Sequence, residues 1–228
     1  MNFIVLGTSD FAICCARGLM ESGAEISALV SMPSGLRPDN SADLYGFAKS
    51  NRFSYHEVED INSDESLNLL RGFSPDYLFS SWPKIINPEI LSIPKYYCVG
   101  SHPTKLPHNR GRHPLHWLIS QGIRQSYLSF FRMDEGVDSG NILLQIPYEV
   151  SDEVVIGDLN ALVNEAAYKG TKSLAARLAE EPDFPGTQQD QTGVNYWRRR
   201  TPHDITLDLR MTSDAIIRTV RSYSPPYP

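Results

Sequence analysis

The chain has 228 residues, 41% of them hydrophobic, with a net charge of −6 and a pI near 5.5. A chain of this length buries a sizeable core without disulfides or metal, as one large domain or one domain with a small appendage. The acidic balance excludes a general attraction to nucleic acid or to an anionic membrane, with the local run Arg198, Arg199, Arg200 as the exception.

Cys14, Cys15 and Cys98 form no even framework and read as reduced thiols of a cytoplasmic protein. No Cys-x-x-Cys or His/Cys cluster has ligand spacing, so no metal is expected. The opening "MNFIVLG" lacks a basic start and a small-residue cleavage site, and its apolar run is too short to span a bilayer.

In chain order, Phe3 to Gly7 reads as a parallel strand buried on both faces. Thr8 or Ser9 caps a helix with Asp10 in its first turn, and Phe11, Cys14, Cys15, Gly18 and Leu19 follow at helical spacing. Glu25 to Ser31 reads as a strand, 32–41 as a Pro/Gly loop, 42–51 as a helix and Phe53 to Val58 as a weak strand. A helix is expected over 60–73, then strands over Pro75 to Trp82 and 96–102. The helix over 113–122 takes Pro114 in its first turn and Gly122 at its end. Strands over 127–133 and 141–150 precede a helix over Asp158 to Glu180, whose apolar residues step by three and four. Beyond it lies a polar, turn-rich stretch and a last helix over 213–223. The terminal "SYSPPYP" reads as the ending of a truncated chain.

This alternation predicts an α/β fold, a Rossmann-like, mostly parallel sheet with helices on both faces, plus a short C-terminal tail of turns and a helix. The expected division is 1–182 for the catalytic domain and 183–228 for a small extension. Ligands in such sheets lie at the carboxyl ends of the strands, so the loops after Gly7, Ser81 and Gly100 should share one edge.

Those loops hold the chemistry. "GTSDFA" lacks the G-x-G-x-x-G spacing of a dinucleotide site, but a strand leading into a helix N-terminus still suits an anion or a plain capped turn. Four histidines, 102, 108, 113 and 116, crowd one loop and helix start. His102 differs from the others in lying directly past a buried strand on a proline-stiffened loop, where an imidazole can act as general base or stabilise an oxyanion. In "MDEGVDSGNILL" three acids fall within five residues. A hairpin turn explains the glycines, whereas Asp138 beside a histidine would orient and polarise it. "SSWPKII" offers Trp82 as a flat apolar wall for a heteroaromatic ligand or as a core packing residue.

Taken together, "GTSDFA", "SHPTKLPHNRGRHPLHW" and "MDEGVDSGNILLQ" resemble, in order and spacing, three segments of the folate-dependent formyltransferase family, over about residues 1 to 180. "RRRTPHDITLDL" is similar to the region after the catalytic domain in some members. The resemblance implies transfer of a formyl group from N10-formyltetrahydrofolate to a primary amine. Carried over, the family's Asn-x-His pair and Asp fall on Gly100, His102 and Asp138. Glycine has no side-chain amide, so Ser101, Asn109, Asn141 or a backbone N–H must replace the oxyanion donor, or transfer is slow or absent. The resemblance places the pterin against Trp82, Pro83, Lys84, Ile85 and Ile86 and against Gly136, Val137 and Asp138.

Among family substrates, the sugar N-formyltransferases are most similar, implying a nucleotide-linked amino deoxysugar of surface polysaccharide synthesis. Thr8, Arg110, Arg112 and the 198–200 cluster are candidates to meet its diphosphate. No nucleic acid or membrane partner is expected, and a homodimer is an open option. Methionyl-tRNA as the amine, or a non-catalytic folate- or nucleotide-binding module, are the alternatives; the former carries a barrel domain for which a chain stopping at Pro228 leaves no room.

Overall fold

A computed structural model describes residues 1–38 and 40–225. Asp39 of the expected 32–41 loop and the last three residues of the "SYSPPYP" ending lie outside the described residues.

Seven strands form the main sheet in the order β3-β2-β1-β4-β5-β7-β8. They are β1 (Asn2–Leu6), β2 (Glu25–Ser31), β3 (Ser54–Glu57), β4 (Tyr77–Ser80), β5 (Tyr97–His102), β7 (Gln125–Arg132) and β8 (Ile142–Glu149). The first five run parallel. β7 runs antiparallel to both β5 and β8, so β7 and β8 are the hairpin that the Asp/Gly turn chemistry predicts. The remaining strands, β6 (Arg110–Gly111) and β9 (Tyr196–Trp197), make a two-stranded parallel pair apart from the sheet.

Among the described residues there are seven α-helices: α1 (Asp10–Glu21), α2 (Leu44–Asn51), α3 (Asp64–Gly72), α4 (Pro88–Leu91), α5 (Pro114–Ser120), α6 (Ile156–Glu180) and α7 (Ser213–Arg221). Ser9 occupies the N-cap position of α1 in extended conformation, without a side-chain capping bond. Asp43 and Ser63 do cap, accepting from the backbone N–H groups of Gly46 and Ser66. The short α4 escapes periodicity analysis because a single turn has no repeat to read.

Two apolar layers flank the sheet. Phe3, Val5, Phe79 and Val99 pack with α1 and α6 on one face, while Ile4, Leu6, Leu78 and Cys98 pack with Leu67, Leu70 and Ile90 of α3 and α4 on the other. Alternate residues of β1, β4 and β5 thus enter opposite layers, which is why their strands read as continuous apolar runs. Each fully buried Leu, Ile or Phe there contributes about 1.5–3 kcal/mol. α1 crosses α6 at Gly18, where an added Cβ would meet the Thr171 hydroxyl and the Tyr168 carbonyl. No other residue lets the two backbones approach so closely.

In this order the chain leaves β1 toward β2 and β3 on one side, then returns to β4 and β5 on the other. A crevice opens at such a reversal, beyond the carboxyl ends of the strands. Among the described residues, no helix is long and apolar enough to cross a membrane.

Candidate active site

A cleft of about 520 Å³ occupies that crevice. It gathers Ser9, Asp10 and Phe11 from the end of β1, Ser80 to Trp82 from the end of β4, Gly100, Ser101 and Pro103 from β5, and Met133 to Asp138 from the β7–β8 hairpin. The three loops expected at one edge do meet there. α6 adds Asn160, Val163 and Asn164, polar and apolar positions that share a helix face at steps of three and four.

His102 is the last residue of β5 and is 4% exposed. Its Nε2 lies 2.8 Å from the carbonyl oxygen of Asn109. A carbonyl only accepts, so Nε2 carries the hydrogen and Nδ1 is the position that gains or loses a proton. Nδ1 faces Asp138 Oδ2 at 3.4 Å. The imidazole and carboxylate therefore converge, with Asp138 lining the cleft and His102 behind it, outside the lining.

The loop carrying the Asn109 carbonyl is held from below. Ser129 Oγ donates to the Thr104 carbonyl at 2.6 Å, Tyr148 Oη to the Pro103 carbonyl at 2.5 Å, and Gln145 Nε2 to the Leu106 carbonyl at 3.2 Å. These donors sit on β7 and β8, so the hairpin that delivers Asp138 also fixes the loop that orients His102.

Asp138 adopts φ 52, in the left-handed region that costs a non-glycine residue of order 1 kcal/mol or more. Its Oδ2 accepts from the Gly111 N–H at 2.9 Å. Its carbonyl accepts from Gln189 Nε2 at 2.9 Å.

At Gly100 an added Cβ would lie 2.8 Å from both Met133 Cγ and Phe131 Cζ. The space an asparagine would need is filled by an aromatic ring and a thioether chain. Of the alternative donors, Asn109 is locked to Asn195: its N–H donates to Asn195 Oδ1 at 2.9 Å, and its Oδ1 accepts from Asn195 Nδ2 at 2.8 Å. The Asn141 amide donates to the Pro185 carbonyl at 2.9 Å. Ser101 lines the cleft, but the β5 pleat turns it to the face opposite His102, with Val99 and the α6 layer.

The expected folate-contact residues are mostly at the cleft. Trp82, Lys84, Ile85, Ile86, Gly136, Val137 and Asp138 line it; Pro83 does not, and its carbonyl instead accepts from Arg112 Nη1 at 3.5 Å. Trp82 is 9% exposed, and its buried indole N–H has no hydrogen-bond partner among the described residues.

The expected substrate residues separate. Thr8 is buried and outside the lining. Arg110 is 2% exposed, and its guanidinium is committed to Gln189 Oε1 (3.2 and 2.7 Å) and Tyr196 Oη (3.0 Å). Its reach toward a diphosphate is therefore corrected: a buried cation with each guanidinium nitrogen bonded within the chain is a structural tie. Of the 198–200 run, Arg198 pairs with both oxygens of Asp204, and Arg200 is buried over the Trp117 and Tyr223 rings. Arg199 and Arg112 remain exposed, flanking His113. Burial, then Arg199, Arg112 and Arg200 in that order, push His113 below the usual imidazole range. His116, 5.6 Å away between ring centroids, is lowered to about 4 by burial, His113 and Arg200.

Sequence reasoning missed Phe131, Met133, Asn160, Asn164 and Gln189. Only Asn160 and Asn164 carry a signal, being amides four apart beside the apolar stripe of α6. Among the described residues, no group of three or more His, Cys, Asp or Glu could hold a metal ion.

Residues 1–174 match the sequence profile of the family described as formyl transferase. A methionyl-tRNA formyltransferase of Syntrophomonas wolfei subsp. wolfei is 26% identical over 230 residues, covering 99% of this chain and 73% of the relative. The N-formyltransferase of Helicobacter canadensis, solved with folinic acid and dTDP-3-aminofucose, superposes with TM-score 0.73 at 16% identity over 96% of this chain and 79% of its own. A sugar N-formyltransferase from a Shewanella species gives TM-score 0.74 at 16% identity, over 98% and 87%.

Proposed function

The chain belongs to the formyl transferase family, and from that membership we propose that it transfers a formyl group from N10-formyltetrahydrofolate to the primary amine of a nucleotide-linked amino deoxysugar. The observation that carries the reading is the convergence of His102 and Asp138, 3.4 Å apart, at the wall of a cleft of about 520 Å³. The residues present fit a folate. Trp82, Ile86 and Val137 supply apolar wall, and the 136–138 turn supplies backbone groups. Bound there, N10-formyltetrahydrofolate supplies the formyl carbon that the amine acquires.

The chain's own residues handle protons and charge. Asp138, the member of the pair that faces the cleft, accepts the proton lost by the amine nitrogen. His102 stands behind it, with Nε2–H anchored on the Asn109 carbonyl and Nδ1 free to take up that proton, which is returned to the donor nitrogen as its bond to the formyl carbon breaks. With no side-chain amide at position 100, and with Ser101 turned to the face of β5 opposite His102, a backbone N–H of the cleft is the proposed donor to the oxygen on which negative charge develops. Arg112 and Arg199, exposed and lacking the carboxylate partner that Arg198 has, are proposed to meet the substrate phosphates.

Methionyl-tRNA is the second reading, favoured by a relative of that activity matching 99% of the chain. Both substrates carry phosphate as well as the amine, so Arg112 and Arg199 serve either. Purified protein with N10-formyltetrahydrofolate, assayed against dTDP-, GDP- and UDP-linked 3- and 4-amino sugars and against methionyl-tRNA, decides by the added formyl mass. Product with the amino sugars is expected. Product with methionyl-tRNA alone replaces the sugar reading, and product with none overturns formyl transfer.

A further inference from the structure

Gln189 lies in the polar, turn-rich segment that periodicity does not resolve, yet it is 3% exposed. Its Nε2 donates to two backbone carbonyls, that of Asp138 at 2.9 Å and that of Gly140 at 2.7 Å. Its Oε1 accepts from Arg110 Nε and Nη2 at 3.2 and 2.7 Å. The amide orientation is dictated by these partners, because carbonyls only accept and a guanidinium only donates. Every hydrogen-bonding direction of the side chain is thus used, in a buried setting where an unmatched group is costly.

The carbonyls that Gln189 grips lie at the left-handed backbone of Asp138, φ 52, and two residues past it. Arg110, on its other side, begins the strand β6, whose next residue, Gly111, donates its N–H to Asp138 Oδ2 at 2.9 Å. One amide therefore reaches the aspartate twice: through its own main chain, and through Arg110 and Gly111 to its carboxylate. β6 is further tied to the same C-terminal segment by β9, the Arg112 N–H donating to the Trp197 carbonyl at 2.9 Å.

We propose that Gln189 is a positioning residue that clamps Asp138 in its strained conformation and aims the carboxylate at His102, a role that rests on the formyl-transfer reading of the cleft. The C-terminal segment thereby completes the active site from outside the profile-matched region, which ends at residue 174.

The test uses the full chain with two variants. Gln189→Met keeps length and removes both sets of hydrogen bonds. Gln189→Glu keeps an acceptor for Arg110 but sets a carboxylate against the two carbonyls. In both, kcat is expected to fall about 10- to 100-fold, as for a displaced catalytic group, with KM for the amine little changed and an altered pH–rate profile. An activity-independent readout is the Gly111 amide proton in NMR spectra, which reports its bond to the Asp138 carboxylate and is expected to move upfield. A Gln189→Glu protein with wild-type kcat and an unmoved Gly111 resonance overturns the proposal. Should the wild type formylate no amine, the functional reading fails. The Gly111 shift still decides whether Gln189 positions Asp138.

Discussion

The sheet with its helices and the segment after α6 are built by different physics. In the sheet, β1, β4 and β5 are buried almost completely, and their order follows from two apolar layers. In the segment from Pro182 to Ser224, few side chains are buried, and several of those are polar: Gln189, Arg200, Thr219 and Ser222. The segment is located by directed hydrogen bonds, such as Gln189 to Asp138 and Asn195 to Asn109, and by single anchors such as Trp197. Burial is non-directional and forgiving of substitution, whereas a buried hydrogen-bonded network is sensitive to loss of one partner. The part that looks like an appendage by composition is therefore the part whose Gln189 and Asn195 bond directly to the loops beside His102 and Asp138.

The sharpest break comes from removing the proton-handling pair. His102→Ala should lower the formyl-transfer rate by about 10²–10⁴-fold, the range for a general acid–base group, together with a loss of stability because the buried ring and its bond to the Asn109 carbonyl are removed. A residual rate within a few-fold of wild type would take the pair out of the reaction. Trp197→Ala probes whether the segment is part of the folding unit. Trp197 is 9% exposed within the main core, so a loss of about 3–5 kcal/mol is expected in denaturant unfolding, with one transition. Two separate transitions would show that the segment folds independently.

Acid sensitivity should also distinguish the regions. His116, under Arg200 and Tyr223 of the segment, has its folded pKa lowered to about 4 from 6.5, so the unfolded chain binds more protons between those values. Stability should rise with pH across about 4 to 6.5, with up to about 3 kcal/mol lost on the acid side, and His116→Phe should flatten that slope. An unchanged slope would place the acid response elsewhere. The smallest effect is expected in the core. Gly100→Asn forces a Cβ to 2.8 Å from Met133 and Phe131, costing about 1–3 kcal/mol by overpacking. It should not raise the formyl-transfer rate unless Met133→Ala makes room. A rate gain in the single variant would show that the site yields more readily than its packing implies.

The two regions also differ in how far the linear sequence reveals them. The strands and long helices are visible because apolar runs and steps of three and four report burial directly. Element ends shift by a few residues, as at β7, which begins at Gln125 rather than 127, because terminal turns are decided by contacts and not by period. His102 and Asp138 are legible because each follows an apolar strand and sits in a recognisable segment. Their proximity is not, since it needs the β5–β7–β8 register. Gln189 has no local signature: its partners lie 79 and 51 residues away. Arg110 is misread for the same reason. An arginine in a polar loop looks available for phosphate until the chain returns to cover it.

The parallel tie between β6 and β9 has a practical consequence for altering which amine is accepted. Chimeras that exchange C-terminal portions with a relative, cut after α6, would separate Asn109 and Arg110 from Asn195 and Gln189 and join partners never selected together. Transplants that carry residues 104–112 along with 187–197 keep each donor with its acceptor.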